Sequence, residues 1–220
     1  MKVKLIEGSL KEELLKTLRD EKSRTSQFKE ALRKLGLLLI SEALKGAKTR
    51  TLRVKTPISQ AEVREIFQEV VFIPILRAGL SLLLPALEVY PESRVGFIGV
   101  YRDEESLEPV PYYEKFPLLR GALYVLLDPM VATGGTAEYA VRRLTSLGVK
   151  EKDITFVSVV SAPEALRRLE RFKEATLITA SVDEGLNDKG FIVPGLGDAG
   201  DRFCGTLGVE VIENYGIQGS

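Results

Sequence analysis

The sequence predicts an α/β protein built on a mainly parallel sheet covered by helices on both faces. Two observations carry this. Short, continuously apolar runs recur along the chain, as expected of strands buried on both sides. Amphipathic helical stretches alternate with them, the pattern of parallel strands joined by crossover helices. Several of the segments that follow the apolar runs are rich in Gly, Thr, Asp and Arg. In such sheets ligands bind beyond the carboxyl ends of the strands.

Residues 9–47 read as helical, with Leu32, Leu35, Leu39 and Ala43 near helical spacing and Gly46 as a stop. The break between two helices falls between Asp20 and Ser26. Residues 60–69, QAEVREIFQE, read as a further short amphipathic helix. Val70 to Ile75 is the first apolar run, and a helix over Leu80 to Val89 follows it. Val95 to Tyr101 is the second run. The acidic loop RDEESLEP then leads to Val110–Phe116 as the return strand of a hairpin.

Leu123 to Leu127 is the third run. The helix after it carries Ala137, Ala140, Val141, Leu144 and Leu147 on one stripe, capped near Gly148. Ile154 to Val160 is the fourth strand. Ser161-Ala162-Pro163-Glu164 combines a capping-box spacing with a proline suited to a first turn. Thr176 to Val182 is the fifth. The expected organisation is a single domain over 1–220, with an N-terminal helical arm to about 69, a core over 70–182, a binding segment over 183–206 and a tail over 207–220.

Composition narrows the chemistry. The chain of 220 residues has no histidine and one cysteine, so histidine triads, histidine bases and thiolate metal clusters are excluded. A single cysteine also excludes an internal disulfide and suits a reducing, cytoplasmic setting. Lys+Arg and Asp+Glu both number 31, which leaves no global field for nucleic acid. No apolar run suggests a membrane span, and the charged start MKVKLIEGSLKEELL is unlike a signal peptide.

The most informative segment follows the third run: Asp128-Pro129-Met130-Val131-Ala132-Thr133-Gly134-Gly135-Thr136. An acid ends a buried strand, and a Thr-Gly-Gly-Thr turn opens a helix. Glycines let backbone close on an anion, while hydroxyls and the helix N-terminus supply donors. A P-loop would need Lys-Ser/Thr after the last glycine, whereas Thr136 and Ala137 stand here. TGGT alone could be a plain strand-to-helix turn; Asp128 ahead of it favours the anion cradle.

Residues 183–206, DEGLNDKGFIVPGLGDAGDRFCGT, contain a literal G-x-G-x-x-G at Gly195, Gly197 and Gly200. Too little chain follows for the helix, strand and ribose-binding acid that a dinucleotide fold requires. The segment reads instead as a glycine-built loop whose backbone can match the edge of a planar base. Phe191 to Pro194 would supply apolar surface for the ring. Arg77 in LRAG and Arg102 after the second run are cations at strand ends, suited to a diphosphate. An isolated arginine is usually just a solvated surface residue.

These motifs resemble the type I phosphoribosyltransferases, and more narrowly their uracil-specific branch. DPMVATGGT, GFIVPGLGDAGDR, PILRAG, VYRDEESLEPVPYY and LRDEKSRTSQF are each similar to segments of that family, from about Leu18 to Thr206. The resemblance implies the type I fold and conversion of uracil and 5-phosphoribosyl 1-diphosphate (PRPP) to UMP and diphosphate. It implies PRPP binding by Arg77, Arg102, Asp128 to Thr136 and Asp198, with Ala132 to Thr136 on the 5′-phosphate and Asp128 on the ribose hydroxyls. Uracil would meet Ile192, Gly197, Asp198 and Ala199, mostly through backbone.

By the same resemblance Asp128, Arg102 and Asp198 are the candidate catalytic residues, and Asp198 is the candidate contact to Mg²⁺ bound with PRPP. GTP would be an allosteric activator, and the chain would assemble as a homodimer or homotetramer. Phe28-Lys29, Thr136 and Cys204 depart from the usual pattern, with Cys204 expected to be a buried small hydrophobe. The alternatives are a phosphoribosyltransferase for another base, or a pyrimidine-responsive RNA-binding regulator on the same fold. The latter lacks a basic-aromatic surface pattern.

Overall fold

The computed structural model describes residues 1–102 and 109–206. The chain begins with β1 (Lys2–Leu5), α1 (Ser9–Arg19), α2 (Thr25–Leu44), β2 (Thr49–Lys55) and β3 (Gln60–Ile66). The next stretch forms β4 (Val70–Leu76), α3 (Leu80–Val89), β5 (Arg94–Val95), β6 (Phe97–Arg102) and β7 (Pro109–Lys115). It continues with β8 (Leu123–Leu127), β9 (Met130–Val131), α4 (Gly135–Ser146), a 3-10 turn (Glu151–Asp153) and β10 (Ile154–Ser161). The last elements are α5 (Pro163–Leu169), β11 (Thr176–Val182), β12 (Gly185–Leu186), β13 (Ile192–Val193) and α6 (Ala199–Cys204).

The main sheet runs β1-β11-β10-β8-β4-β6-β7, with β5 and β9 as short additions to β4 and β10. Its pairings are parallel except for the β6–β7 hairpin. The apolar runs fill its middle: every residue of β8 and β10 is buried. Side-chain alternation divides each strand between two cores. Leu123, Val125 and Leu127 of β8 join the core under α1, α2 and α3, while Tyr124 and Leu126 join the core under α4 and α5. Leu32, Leu35, Leu39 and Ala43 of α2 are buried as their spacing requires. On α4, Ala137, Ala140, Val141 and Leu144 are buried and Leu147 is exposed at the helix end.

Four local expectations are corrected. Residues 60–66 form β3, paired antiparallel with β2, rather than a helix. Their Gln, Glu and Arg are helix formers, yet Val63 and Glu65 stand opposite Leu52 and Arg50 in a hairpin. The N-terminal arm therefore is not wholly helical, and it also supplies β1 at the sheet edge. At α5 no capping box forms, because Ala162 is the N-cap and Ser161 is the last residue of β10. Its hydroxyl instead bonds within the sheet, to Ser158 and Thr179; Pro163 does open the helix as expected. Cys204 is exposed, since it closes a short helix at the surface.

No helix among the described residues is long and apolar enough to cross a membrane. The acidic residues 103–108 and the tail 207–220 lie outside the described residues.

Candidate active site

Parallel strands deliver their carboxyl ends to one edge of the sheet, so the loops after β4, β6, β8 and β11 gather there. The loop after β8 is held from below. Asp128 N–H donates to the Val157 carbonyl at 3.1 Å. The Pro129 carbonyl accepts from Val159 and Val160 N–H at 2.9 and 3.1 Å. Pro129 is thus committed to β10, while Asp128, Met130 to Gly134, Thr136 and Ala137 line a concavity of about 180 Å³.

The turn at the rim depends on Gly134. Its φ of 78° lies in the left-handed region, and a Cβ there would stand 3.0 Å from Ala165 Cα. Gly135 begins α4; the first N–H groups of a helix lack helical partners, and Gly134, Thr136 and Ala137 of this turn line the concavity, while the Gly135 N–H donates to Thr133 Oγ1. With Thr133 and Thr136 beside them, these donors have the chemistry that suits an anion at a helix N-terminus.

Asp128 sits in the floor of this loop. Burial pushes its carboxyl up to about 7, a hydrogen bond from Met130 N–H opposes the shift, and the negative charge of Asp198 adds to it. The C-terminal segment packs on the loop after β4, which in turn lies against the end of β8. That segment makes a small hairpin of β12 and β13, turns through Gly195 and Gly197, and enters α6. Asp198 is the N-cap of α6, one carboxylate oxygen accepting from Asp201 N–H at 2.9 Å.

Gly197 and Asp198 are exposed, whereas Ile192, Leu196 and Ala199 are buried in the core under α2. Any contact that Ile192 and Ala199 make with a base therefore falls to their backbone. Phe191, Val193 and Pro194 face outward.

The loop after β4 completes the group. Gly79 approaches β8 so closely that a Cβ would lie 2.3 Å from the Leu127 carbonyl oxygen. Arg77, preceded by a cis peptide bond, is exposed and directs Nη2 at Asp201 Oδ1 across 3.8 Å. Ala78 Cβ lies 3.7 Å from the position of a Cβ on Gly200. Arg102 is the final residue of β6, opposite Pro109, and its side chain lies outside the described residues.

Two groups of charged side chains around this site were not foreseen. Arg19, Asp183 and Arg202 brace the C-terminal segment. Glu138, in the first turn of α4, accepts from Arg142, Arg168 and Arg171. Apart from the Glu138–Arg142 pair one helical turn apart, the partners are distant in sequence, and no local pattern announces them.

An acid-led anion cradle at a helix N-terminus, on a mostly parallel sheet with a hairpin arm and a glycine-built segment alongside, defines a type I phosphoribosyltransferase. A model of the family described as uracil phosphoribosyltransferase matches residues 6–206. The uracil phosphoribosyltransferase of Acholeplasma laidlawii is 43% identical over 192 residues, covering 86% of this chain and 91% of that protein. That of Aquifex aeolicus is 45% identical over 188 residues, covering 84% and 89%. The solved structure of the AQ2163 protein from Aquifex aeolicus superposes with a TM-score of 0.85 at 41% identity, covering 91% of this chain and 97% of that one. The chain belongs to the uracil phosphoribosyltransferase family.

Proposed function

We propose that this protein is a pentosyltransferase that joins uracil to the ribose of PRPP, giving UMP and diphosphate. The observation that carries the reading is the meeting of two loops: the loop after β4 packs through Gly79 on Leu127, just before the Asp128-led cradle, and through Ala78 on Gly200, just after the Gly197–Ala199 segment, and so brings cradle and segment together. Family membership supports uracil as the base.

In this reading the N–H groups at the start of α4, with Thr133 and Thr136, hold the 5′-phosphate. Asp128 accepts hydrogen bonds from the ribose hydroxyls and fixes the sugar. Arg77 and Arg102 bind the diphosphate and stabilise the charge that develops on it as it leaves. Backbone groups of Ile192 and Gly197 to Ala199 hold the edge of uracil, so its nitrogen stands in line with the anomeric carbon. The bond from that carbon to the diphosphate breaks as the bond to nitrogen forms, and the proton that leaves the uracil nitrogen passes to water. Positioning supplies much of the rate; a strong general base has no part in it.

Among the described residues no group of three or more acids could hold a metal by itself. Mg²⁺ arriving with the substrate needs no such group, because it is commonly bound by one or two carboxylates together with phosphate oxygens. Asp198, with one oxygen outside its capping bond, and Asp128 are the carboxylates at hand. When bound, Mg²⁺ would neutralise charge on the diphosphate. The proposal extends to GTP activation and to assembly of two or four copies, which sedimentation with and without GTP would test.

Purified protein given PRPP, Mg²⁺ and labelled uracil, adenine, hypoxanthine or orotate in parallel tests the reading. UMP should form from uracil alone. Turnover of another base in preference to uracil would overturn it.

A further inference from the structure

The turn that introduces the GLGDAG segment is held at both of its backbone groups by one ion pair. Asp183, the residue after β11, accepts from Gly195 N–H through Oδ2 at 2.9 Å. Arg19, the last residue of α1, donates from Nη1 to the Gly195 carbonyl at 2.8 Å. The two side chains meet in a bidentate pair, at 2.7 Å to Oδ2 and 2.6 Å to Oδ1. Ser181 completes the unit, donating to Asp183 Oδ1 at 2.7 Å and accepting from Arg19 Nη2 at 3.1 Å.

The Asp183 side chain is only 1% exposed. Burial alone would raise its carboxyl, but Arg19, Ser181 and the Gly195 N–H together hold it below the ordinary carboxylate range. It is a fixed anion.

Gly195 has little latitude of its own. Its φ is 62°, and a Cβ there would lie 2.1 Å from the Ile192 carbonyl oxygen. A second arginine grips the next residue: Arg202 donates from Nη1 to the Leu196 carbonyl at 2.8 Å and to the Leu18 carbonyl, and from Nη2 to the Asp20 carbonyl at 2.7 Å. Its guanidinium lies over the Phe28 ring at 4.4 Å. Leu18 and Asp20 are at the carboxyl end of α1, where carbonyls lack helical partners. The corner between α1 and α2 therefore holds the segment at two successive residues.

From this geometry we infer that Arg19 and Asp183 are positioning residues for the base: by fixing Gly195 they set where Gly197 to Ala199 stand relative to the ribose. The inference rests on the reading of residues 192–199 as the base site. Neither side chain is proposed to touch either substrate. A bidentate guanidinium constrains angle as well as distance, so lysine at position 19 would keep the charge and lose the alignment. The proposed PRPP cradle belongs to the loop from β8 to α4, and among the described residues it shares no hydrogen bond with the pair. The consequence is an effect on uracil larger than that on PRPP, which meets the positioned segment only at Asp198.

The test is steady-state kinetics on Arg19→Ala, Arg19→Lys and Asp183→Asn, with KM determined separately for uracil and PRPP and melting followed by calorimetry. Gly197→Val serves as the reference for a blocked base site. For Arg19→Ala the KM for uracil should rise about tenfold or more while that for PRPP stays within about twofold. Millimolar guanidinium ion should restore part of the uracil KM in Arg19→Ala and none in Gly197→Val. Arg19→Lys and Asp183→Asn should give the same selective rise in smaller measure, and they carry the test should Arg19→Ala not fold. Equal rises in both KM values, or a lower melting temperature with uracil KM unchanged, would overturn the inference. A Gly197→Val protein with normal uracil KM would instead sink the base-site reading itself.

Discussion

Asp198 lies near enough to Asp128 for its charge, added to the larger effect of burial, to push the Asp128 carboxyl up to about 7. Asp128 follows β8 and Asp198 caps α6, so the two ends of the proposed reaction are electrostatically coupled before any substrate arrives. As an acceptor for ribose hydroxyls Asp128 must be ionised. The acidic limb of kcat/KM for PRPP should therefore show an apparent pKa near 7. Asp198→Asn should move that limb to lower pH. A limb that does not respond to position 198 would contradict the coupling.

The same shift predicts a stability cost. Unfolded, an aspartate ionises near 4, so between roughly pH 4 and 7 the folded protein holds a proton that the unfolded chain has lost. Stability from this group falls as pH rises through that window, and above 7 the cost is fully present. At about 1.4 kcal/mol per pKa unit it amounts to at most about 4 kcal/mol. Asp128→Asn should be inactive yet melt higher than the parent at pH 8, with the difference shrinking towards pH 4. Equal melting curves at both values would remove the buried-acid account.

Arg77 is held only loosely in the absence of substrate, 68% exposed and 3.8 Å from Asp201. An exposed pair at that distance contributes little to stability. Arg77→Ala should leave unfolding within about 0.5 kcal/mol of the parent. Turnover should fall by roughly a hundredfold or more, as expected on losing a cation from a leaving diphosphate. Lysine should recover only part of it, lacking the fork. A normal kcat in Arg77→Ala would exclude the diphosphate role.

Gly134 makes a separate case, because its demand is steric. Alanine there would meet Ala165 Cα at 3.0 Å and would have to hold a φ of 78°, which costs an L-residue about 1–2 kcal/mol. Relief requires the loop to move away from α5, which displaces Gly134 in the wall of the concavity. Gly134→Ala should raise the KM for PRPP about tenfold, and the KM for uracil much less. The converse pattern would place the 5′-phosphate elsewhere.

The parts of this site that were legible in the sequence are those written in backbone chemistry. The loop from Asp128 to Thr136 could be picked out because an acid ends a buried strand just ahead of the Thr-Gly-Gly-Thr turn, which alone would pass for an ordinary strand-to-helix connection. The buried strands β4, β8 and β10 could be read from continuous apolar runs. The β2–β3 hairpin could not: EVREI mixes charge with apolar residues on a largely exposed ribbon, so neither period stands out. β1 was missed because KVKL is a four-residue edge strand whose residues are all exposed. The Arg19–Asp183 pair spans 164 positions, and an arginine in an amphipathic helix reads as solvated until its partner is known.

Glu138 shows what such long-range charge groups do for the cradle. Its side chain is 10% exposed and accepts from Arg142 at 2.8 Å, from Arg171 at 2.7 Å and from Arg168. The Arg168 side chain also lies against Gly135, with Nη1 3.3 Å from where a Cβ would stand. One carboxylate thus ties the first turn of α4 to α5 and the residues after it. Burial would raise its pKa, but Arg168, Arg142 and Arg171 outweigh that and hold it below the ordinary value. A depressed carboxyl contributes stability that is present above its unfolded pKa and lost as pH falls through the folded one. Glu138→Gln removes the carboxylate that Arg142, Arg168 and Arg171 share; because those guanidiniums stay partly in water, the loss is about 1–2 kcal/mol. The urea midpoint at pH 7 should fall accordingly, and the gap between parent and variant should close as pH is lowered towards 3. A gap that persists unchanged at low pH would mean that packing, and not the carboxylate charge, joins α4 to α5.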